Sequence, residues 1–401
     1  MAAPRPPRAG LLAIGRGPVD TRLRVLVVLM VGLGLVMVYS ASSVLSMVQY
    51  GKSTVFFTGQ LTRAVAGFAL MFAIAAVDYR VWERAAKPLL WISILLLAIP
   101  AAGVWSSLTP EINGSRRWIV LPAFQFQPLA VARFALVLWM AATIVRKGAR
   151  LDRFSDGVAP LVAVPVVMGG LLLLQPDYKG ASMLLMVAGT MLFLGGIRMR
   201  YLAGVAALAV PALGLALVLE PYRLRRLASY FDPDHDVQGL SYQIHQSLIS
   251  LGSGGWFGMG LGASRQKFAF LPAAYNDFIF SILGEELGIL GTIAVLVAFL
   301  YLGRLGFRIA RRAPDGFGFL LASGITVVIV LAALVNIGVA TATLPTTGLT
   351  LPFLSYGGTE LVVQLAMGGV LLAISRDGVD QPTPGEKQAG KKRTREKRKG
   401  G

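Results

Sequence analysis

The stretch LRVLVVLMVGLGLVMVYSASSVL, residues 23–45, contains one charged side chain, Arg24. As an α-helix it would be about 35 Å long, enough to cross a hydrocarbon core about 30 Å thick. Its length, and flanks that offer no small-residue cleavage site, argue against a removable signal peptide. The stretch therefore predicts a retained membrane-spanning helix.

Nine more stretches of this kind follow along the chain. Counting glycine and leaving out tyrosine, roughly 63% of the 401 residues are apolar, against 45–50% in soluble domains. The sequence therefore predicts an all-α polytopic membrane protein, with ten transmembrane helices in a membrane domain over residues 23–375. The ten predicted spans are residues 23–45, 58–77, 89–106, 127–145, 158–174, 181–197, 202–219, 278–303, 317–339 and 361–375.

The net charge of +18 lies mostly at the two ends of the chain. We predict basic cytoplasmic tails over residues 1–22 and 376–401, the second of them disordered. Such tails suit anionic lipid headgroups rather than the folded basic face that nucleic acid requires. The absence of cysteine excludes disulfides and thiolate catalysis, and two histidines, His235 and His245, are too few for a histidine-rich metal site.

Lysine and arginine also predict the orientation. With a cytoplasmic N-terminus, 27 of the 38 basic residues lie on the inner side, as the positive-inside rule requires. Both termini are then cytoplasmic, and residues 220–277 form a large extracytoplasmic loop between the seventh and eighth spans. Long loops often carry function, so we expect the chemistry on this face. The loop holds both histidines and the charged residues Arg223, Arg225, Arg226, Asp232, Asp234 and Asp236.

A glycine-rich segment, LGSGGWFGMGLGASRQKF at residues 251–268, lies in this loop. Glycines let backbone N–H groups approach a ligand closely. Arg265 and Lys267 would attract an anion such as a pyrophosphate. A tight re-entrant turn at the membrane surface would need the same glycines, so both interpretations stay open here.

Asp277 directly precedes the eighth span. A partly desolvated carboxylate at this boundary is suited to accept a proton from a sugar hydroxyl, although aspartate is also a common helix N-cap. Glu285 and Glu286 lie deeper, where a charge must be paired or functional. We expect these two glutamates to pair with arginine inside the bundle.

Two further outer loops are predicted. In NGSRRWIVLPAFQFQP, residues 113–128, Arg116 and Arg117 precede Trp118. An arginine beside an aromatic residue is also typical of an interfacial anchor. The segment LPTTGLTLPFLSYGG, residues 344–358, is too irregular to face lipid.

These motifs, taken in order, resemble the SEDS family of polytopic glycosyltransferases, to which FtsW and RodA belong. The likeness extends over most of the chain. The segments GWFGMGLGASRQKF (255–268) and TGLTLP (347–352) are more similar to those of FtsW than to those of RodA. The motifs that carry the likeness are MVYSAS (37–42), RRWI (116–119), FQP (126–128), QPDY (175–178), GMGLGASRQKF (258–268), DFIFSILGEELG (277–288) and TGLTLPFLSYGG (347–358).

The resemblance implies a polymerase of peptidoglycan that acts on lipid II at the outer face of the bacterial cytoplasmic membrane, at the division septum. The implied partners are a class B penicillin-binding transpeptidase, other divisome proteins, the growing glycan chain and membrane lipids. In the implied reaction, the 4-hydroxyl of the GlcNAc of lipid II attacks the anomeric carbon of the MurNAc of the growing chain. The pyrophosphate leaves with inversion.

By the same resemblance, the catalytic aspartate of the family falls on Asp277, which would be the base. A divalent cation, Mg²⁺ or Mn²⁺, could take part with oxygen ligands such as Asp277 and Asp177. The predicted substrate-binding residues are Arg116, Arg117, Arg133, Lys179, Arg265, Lys267 and Ser355.

The chain departs from the polar pattern of the family. Where the family has a glutamate followed three residues later by a lysine, this chain has Ala130 and Arg133. Either Glu360 supplies a replacement carboxylate, or a catalytically impaired scaffold that binds lipid II remains, or the sequence was redesigned or mutated. The motifs are also compatible with a lipid II flippase and with an elongation polymerase similar to RodA. The further departures are Leu129, Ala273, Tyr275, Lys179, Thr359 and Glu360.

Overall fold

The computed structural model describes residues 17–103, 108–112, 114–121, 124–220, 241–268 and 270–378, together with Leu224 and Tyr230. The ends of both predicted tails lie outside the described residues. The predictions that concern His235, the loop arginines and the loop aspartates also fall outside them. These loop residues are Arg223, Arg225, Arg226, Asp232, Asp234 and Asp236.

The described residues form a bundle of α-helices. Nine segments are long and apolar enough to cross a membrane, and α6 is a shorter apolar helix, so the ten predicted spans all correspond to helices. The helices are α1 (Thr21–Tyr50), α2 (Val55–Ala76), α3 (Val81–Ala102), α4 (Pro128–Lys147), α5 (Ala159–Leu174), α6 (Tyr178–Leu194), α7 (Met199–Val218), α8 (Tyr242–Ser253), α9 (Ile279–Arg312), α10 (Gly316–Ala340) and α11 (Gly358–Gly378).

Several helices extend beyond the predicted spans. α3 begins at Val81, because the polar turn before residue 89 is helical and carries Glu83 near the positive helix N-terminus. α9 continues to Arg312, with two arginines in its last turn. Hydropathy marks only the apolar part of such helices, and their charged ends follow from favourable interactions with the helix dipole.

Two elements of the outer loops were not predicted. The amphipathic helix α8 lies inside the predicted large loop and packs its buried serine face against α9. The strands β1 (Ile119–Val120) and β2 (Gln125–Phe126) form a short antiparallel hairpin, in which Ile119 pairs with Phe126. The fold of the described residues remains all-α apart from this hairpin.

Charged side chains tie the helices together at one end of the bundle, which we call the basic end. Arg80, between α2 and α3, binds Asp315 at 3.1 Å and Asp377 at 2.9 Å. Arg308 of α9 binds Asp20, the N-cap of α1, at 2.5 Å. The opposite end, which we call the site end, holds the irregular segments, including residues 254–278 and 341–357.

Gly34 of α1 lets the segment 341–357 approach the helix closely. A Cβ atom at Gly34 would overlap the carbonyl oxygen of Phe353. We expect Gly34→Val to lower the free energy of unfolding by roughly 1–3 kcal/mol through overpacking, measured as thermal unfolding in detergent. Gly32→Val is the matched control, because a Cβ at Gly32 meets no described atom within 4 Å. Equal loss from the two variants would contradict this packing.

Candidate active site

The site end is organised by hydrogen bonds between segment 341–357 and the residues just before α9. The Ser355 hydroxyl donates to the carbonyl of Asn276 at 2.6 Å. The Tyr356 amide donates to the carbonyl of Tyr275 at 3.0 Å. These bonds fix the backbone that carries Asp277.

Asn336 of α10 is hydrogen-bonded both to the residues just before α9 and to segment 341–357. Its side-chain amide donates to the carbonyl of Asp277 at 2.8 Å and to that of Leu349 at 2.6 Å. Asn336 is 1% exposed, so its amide is a buried bridge between the segment before α9 and segment 341–357. Both hydrogen bonds are made by the side-chain nitrogen, whereas Oδ1 of Asn336 has no partner among the described residues.

Asp277 and Lys179 face each other across Gly348. A Cβ atom at Gly348 would lie 3.0 Å from Oδ2 of Asp277 and 3.2 Å from Nζ of Lys179. The carboxylate oxygen and the ammonium nitrogen are therefore at most about 6 Å apart, and both residues are half-buried. The Lys179 ammonium also donates to the Gly348 carbonyl. Glycine at this position, with φ of 69°, leaves room for both side chains.

The carboxylate of Asp277 has an oxygen that no described group engages. Its Oδ1 atom is buried and has no hydrogen-bond partner among the described residues. The N-cap of α9 is Phe278, and no side chain caps this helix, so the role of Asp277 as an N-cap is excluded. The turn before it is strained, with Ala273 at φ 54° accepting the amides of Asn276 and Asp277, both at 3.0 Å. Strain of this kind is often found at functional sites.

Arg117 lies beside the turn that begins α6. One guanidinium nitrogen is 3.9 Å from the Asp177 carboxylate, and another donates to the Pro176 carbonyl at 3.0 Å. Asp177 is the N-cap of α6 and accepts the amide of Gly180 at 3.1 Å. Arg117 therefore contacts the same turn that carries Lys179.

Arg116 is directed elsewhere. Its guanidinium donates to the carbonyl of Gly103 at 3.2 Å and lies 3.9 Å from Glu111. The two neighbouring arginines therefore contact different parts of the site end. Of the pair, Arg117 is the one that contacts the turn carrying Lys179.

An aromatic cluster lies next to Asp277. The ring of Tyr275 is 4.8 Å from that of Phe56 and 5.8 Å from that of Tyr356. The pKa of the Tyr275 phenol is raised above its ordinary value, mainly by burial and to a smaller extent by the neighbouring Tyr356. This group therefore stays neutral. Arg63 of α2 lies 5.0 Å from the Tyr356 ring centroid, and its Nη1 has no hydrogen-bond partner in the described part of the chain.

The glycine-rich segment is built against a break in α9. At Gly288 the helix has φ of 70° and ψ of −168°. The amides of Met259 and Gly260 donate to the carbonyls of Glu285 and Glu286 at 2.9 and 3.1 Å. A Cβ at Gly258 would overlap the Glu286 carbonyl oxygen. The glycines thus let this segment pack closely against α9, and the amides of Met259 and Gly260 are bonded to α9 rather than left for an anion.

Among the described residues, Glu285 is bonded to hydroxyl groups and a backbone amide rather than to the predicted arginine side chain. Its carboxylate accepts the Ser264 hydroxyl at 2.5 Å, the backbone amide of Arg265 at 2.9 Å and the Ser250 hydroxyl at 3.2 Å. Hydrogen bonds from hydroxyl and amide groups stabilise a buried carboxylate as a counter-ion would. The Arg265 side chain itself is exposed.

Glu286 is paired with a lysine rather than with the predicted arginine. Nζ of Lys267 lies 3.8 Å from Oε1 of Glu286, and the Ser40 hydroxyl donates to the same oxygen at 2.5 Å. Lys267 is 8% exposed and also donates to the Gly262 carbonyl. Its charge is thus directed to a buried carboxylate, which explains its burial without a bound anion.

Arg133 and Ser355 are also engaged inside the protein. Arg133 forms an ion pair with Glu360 of α11 at 2.6 Å and is 6% exposed. The Ser355 hydroxyl, besides donating to Asn276, accepts the amide of Leu351 at 2.8 Å. Both residues support the loops around Asp277, and neither is joined to Lys179 by a described hydrogen bond.

Comparison with known proteins identifies the family. A family model described as a cell cycle protein, that of FtsW, RodA and SpoVE, matches residues 21–379. The chain belongs to this family. The match covers α1 to α11 and every candidate site residue, so the SEDS resemblance drawn from the motifs is confirmed.

Relatives in this family are similar over nearly the whole chain. A probable peptidoglycan glycosyltransferase FtsW from Trichlorobacter lovleyi is 40% identical over 359 residues, covering 89% of this chain and 93% of the relative. The stage V sporulation protein E of Bacillus subtilis is 38% identical over 360 residues, covering 89% of this chain and 97% of the relative.

Solved structures of the family share the fold. The rod shape determining protein RodA of Thermus thermophilus has a TM-score of 0.67 and 30% identity, covering 90% of this chain and 98% of that one. A chain from a structure described as the structural coordination of polymerization and crosslinking by a peptidoglycan synthase complex has a TM-score of 0.72 and 30% identity, covering 90% of this chain and 99% of that one.

This member of the family does not gather the ligands of a resident metal site in the part of the chain that the structure describes. Among those residues, no group of three or more His, Cys, Asp or Glu side chains could hold an ion. The Oδ1 atom of Asp177 caps α6 and lies 3.9 Å from Arg117, while its buried Oδ2 has no hydrogen-bond partner among the described residues. We therefore derive no step of the chemistry through a metal.

Several residues of this family site were missed by the sequence reasoning. Asn336 and Gln60 are polar residues within predicted apolar spans, a signal that could have found them. The Gln60 amide donates to the Ser355 carbonyl at 2.9 Å. The sequence offered no comparable signal for Gly348. This glycine matters because its missing side chain leaves room for Asp277 and Lys179, which are distant from it in sequence.

Proposed function

We propose that this chain is a peptidoglycan glycosyltransferase that polymerises lipid II into glycan strands during septal cell-wall synthesis. The observation that carries the proposal is a buried carboxylate oxygen of Asp277 without a hydrogen-bond partner among the described residues, close to the Lys179 ammonium. A base and a cation side by side are what an inverting transfer from a pyrophosphate donor needs. The printed names of the relatives support the same activity.

In the proposed reaction, Asp277 accepts the proton of the 4-hydroxyl of the acceptor GlcNAc. The hydroxyl oxygen forms a bond to the anomeric carbon of the donor MurNAc, and the bond from that carbon to the pyrophosphate breaks. One displacement converts the α-linked donor into a β-1,4 product. Lys179, together with Arg117, which contacts the turn that carries Lys179, stabilises the charge on the leaving pyrophosphate.

The proposal includes an orientation. The site end faces outward and the basic end faces the cytoplasm, with both termini inside and the protein at the division septum. The cluster of Arg80 and Arg308 at the basic end supports this orientation, because arginines are enriched on the cytoplasmic side. The polyprenyl tail of lipid II would remain in the bilayer beside the site.

We propose a class B penicillin-binding transpeptidase as the partner, together with other divisome proteins. The similar chain in a structure of coordinated polymerization and crosslinking supports a partner of this kind. A requirement for Mg²⁺ or Mn²⁺ stays a prediction. It is tested by chelation with EDTA and re-addition of each metal.

The function is tested by reconstituting the full chain with its transpeptidase and lipid II in liposomes. We expect glycan polymer, separated on a gel, that requires this chain. Lipid II binding without polymer would favour a scaffold. Movement of a labelled lipid II between leaflets without polymer would favour a flippase.

A further inference from the structure

Arg133 is a buried charge whose own helix offers no counter-charge nearby. It lies one turn into α4, and the residues three and four positions away are Leu129, Ala130, Leu136 and Val137. A charged side chain inside a membrane-spanning helix is costly unless it is paired. The partner comes from α11, where Oε2 of Glu360 lies 2.6 Å from the guanidinium.

Glu360 connects this ion pair to the loop above. Its Oε1 atom accepts the side-chain amide of Gln364 at 3.0 Å. The carbonyl oxygen of the same Gln364 side chain accepts the backbone amide of Phe353 at 2.9 Å. Phe353 has φ of 65°, a left-handed conformation that a bulky residue adopts only when its surroundings hold it.

The connection continues to the segment that carries Asp277. Two residues after Phe353, the Ser355 hydroxyl donates to Asn276, and the next residue, Tyr356, donates its amide to Tyr275. An unbroken path of hydrogen bonds and short backbone steps thus leads from Arg133 to the residue before Asp277.

We propose that Glu360 is a positioning residue for the transfer reaction. The Arg133–Glu360 pair, through Gln364, holds segment 341–357 in the conformation that sets Asp277 beside Lys179. The expected change in kcat rests on the proposed function. The expected change in the hydrogen exchange of segment 341–357 does not depend on that function. Glu360 acts through the loop and does not touch the substrate.

Glu360→Gln tests the role of the charge with little change in volume. We expect kcat for lipid II polymerisation to fall roughly 10- to 100-fold, because small displacements of reacting groups have effects of this size. KM should change little. In the same protein, hydrogen exchange of the amides in segment 341–357 should become at least about 10-fold faster, as expected when local opening becomes easier.

A second variant moves the carboxylate instead of removing it. In Ala130→Glu combined with Glu360→Gln, the acid lies three residues before Arg133 on α4, a spacing at which side chains meet. We expect this variant to regain most of the lost kcat and the slow exchange. Glu360→Asp, which keeps the charge, is the variant to use if Glu360→Gln folds poorly. Glu83→Gln is the matched control, since Glu83 is an exposed glutamate in the first turn of α3.

The outcomes separate the two proposals. Wild-type kcat and unchanged exchange in Glu360→Gln would overturn the positioning role. Reduced kcat with unchanged exchange and no recovery in the double variant would also overturn it, since Glu360 would then act on the substrate directly. Faster exchange in a protein whose wild type makes no polymer would support the positioning role and refute the polymerase.

Discussion

Asp277→Asn should abolish polymerisation of lipid II while leaving the protein folded. The substitution keeps the shape of the side chain but removes its ability to accept a proton at physiological pH. A positioned general base contributes about 10²- to 10⁴-fold to the rate, so we expect kcat to fall by at least about 100-fold. The Asp277 side chain makes no N-cap bond to α9, so thermal unfolding should change little.

The measurement is polymer formation at saturating lipid II, with the transpeptidase present. Asp152→Asn is the matched control, because Asp152 is an exposed carboxylate at the basic end. It should retain the wild-type rate. Equal polymer from wild type and Asp277→Asn would refute the role of Asp277 as the base.

The sequence was sufficient to predict the membrane-spanning helices. Each span is a long apolar stretch whose backbone N–H and C=O groups must form their hydrogen bonds within the segment. The sequence was insufficient where a helix continues as a charged end, as α3 does before residue 89. It also failed for α8, whose apolar residues are too few for a span. Such elements are fixed by packing against α9 and α10, which a single sequence does not reveal.

For the site, the sequence indicated the face and the residue types but not which residues meet. Asp277 and Lys179 are almost a hundred residues apart, and only the structure brings both to Gly348. For Lys267 the prediction of an anion-binding residue differs from the structure. This lysine of the glycine-rich segment pairs with the buried carboxylate of Glu286. A basic residue beside glycines can serve either purpose, and the location of the nearest carboxylate decides between them.

Glu360 shows how a departure from a motif is understood in the folded chain. Ala130 removes an acid from α4, and the carboxylate that meets Arg133 comes from α11. The charge balance of the buried pair is therefore preserved, although the sequence positions differ. This pair removes the main physical objection to an active site in this chain, namely an unpaired arginine in the bundle.

Lys179→Met should reduce the polymerisation rate by roughly 100- to 1,000-fold, the range measured when one preorganised group that stabilises developing charge is removed. Methionine keeps the approximate length of the side chain and loses the charge, so the leaving pyrophosphate loses the cation that lies beside Asp277. Lys179→Arg keeps the charge and should retain more activity than Lys179→Met. The measurement is kcat at saturating lipid II, compared with Lys52→Met, an exposed lysine of the same end.

A purely structural role for Lys179 makes a different prediction. Its ammonium also donates to the Gly348 carbonyl, so in that case Lys179→Met would be inactive because segment 341–357 moves. Hydrogen exchange in the segment would then rise along with the loss of rate, as proposed for Glu360→Gln. A large loss of kcat with unchanged exchange and unchanged thermal unfolding assigns the effect to the charge itself. Wild-type kcat in Lys179→Met would remove the lysine from the mechanism and leave Arg117 as the cation next to the pyrophosphate.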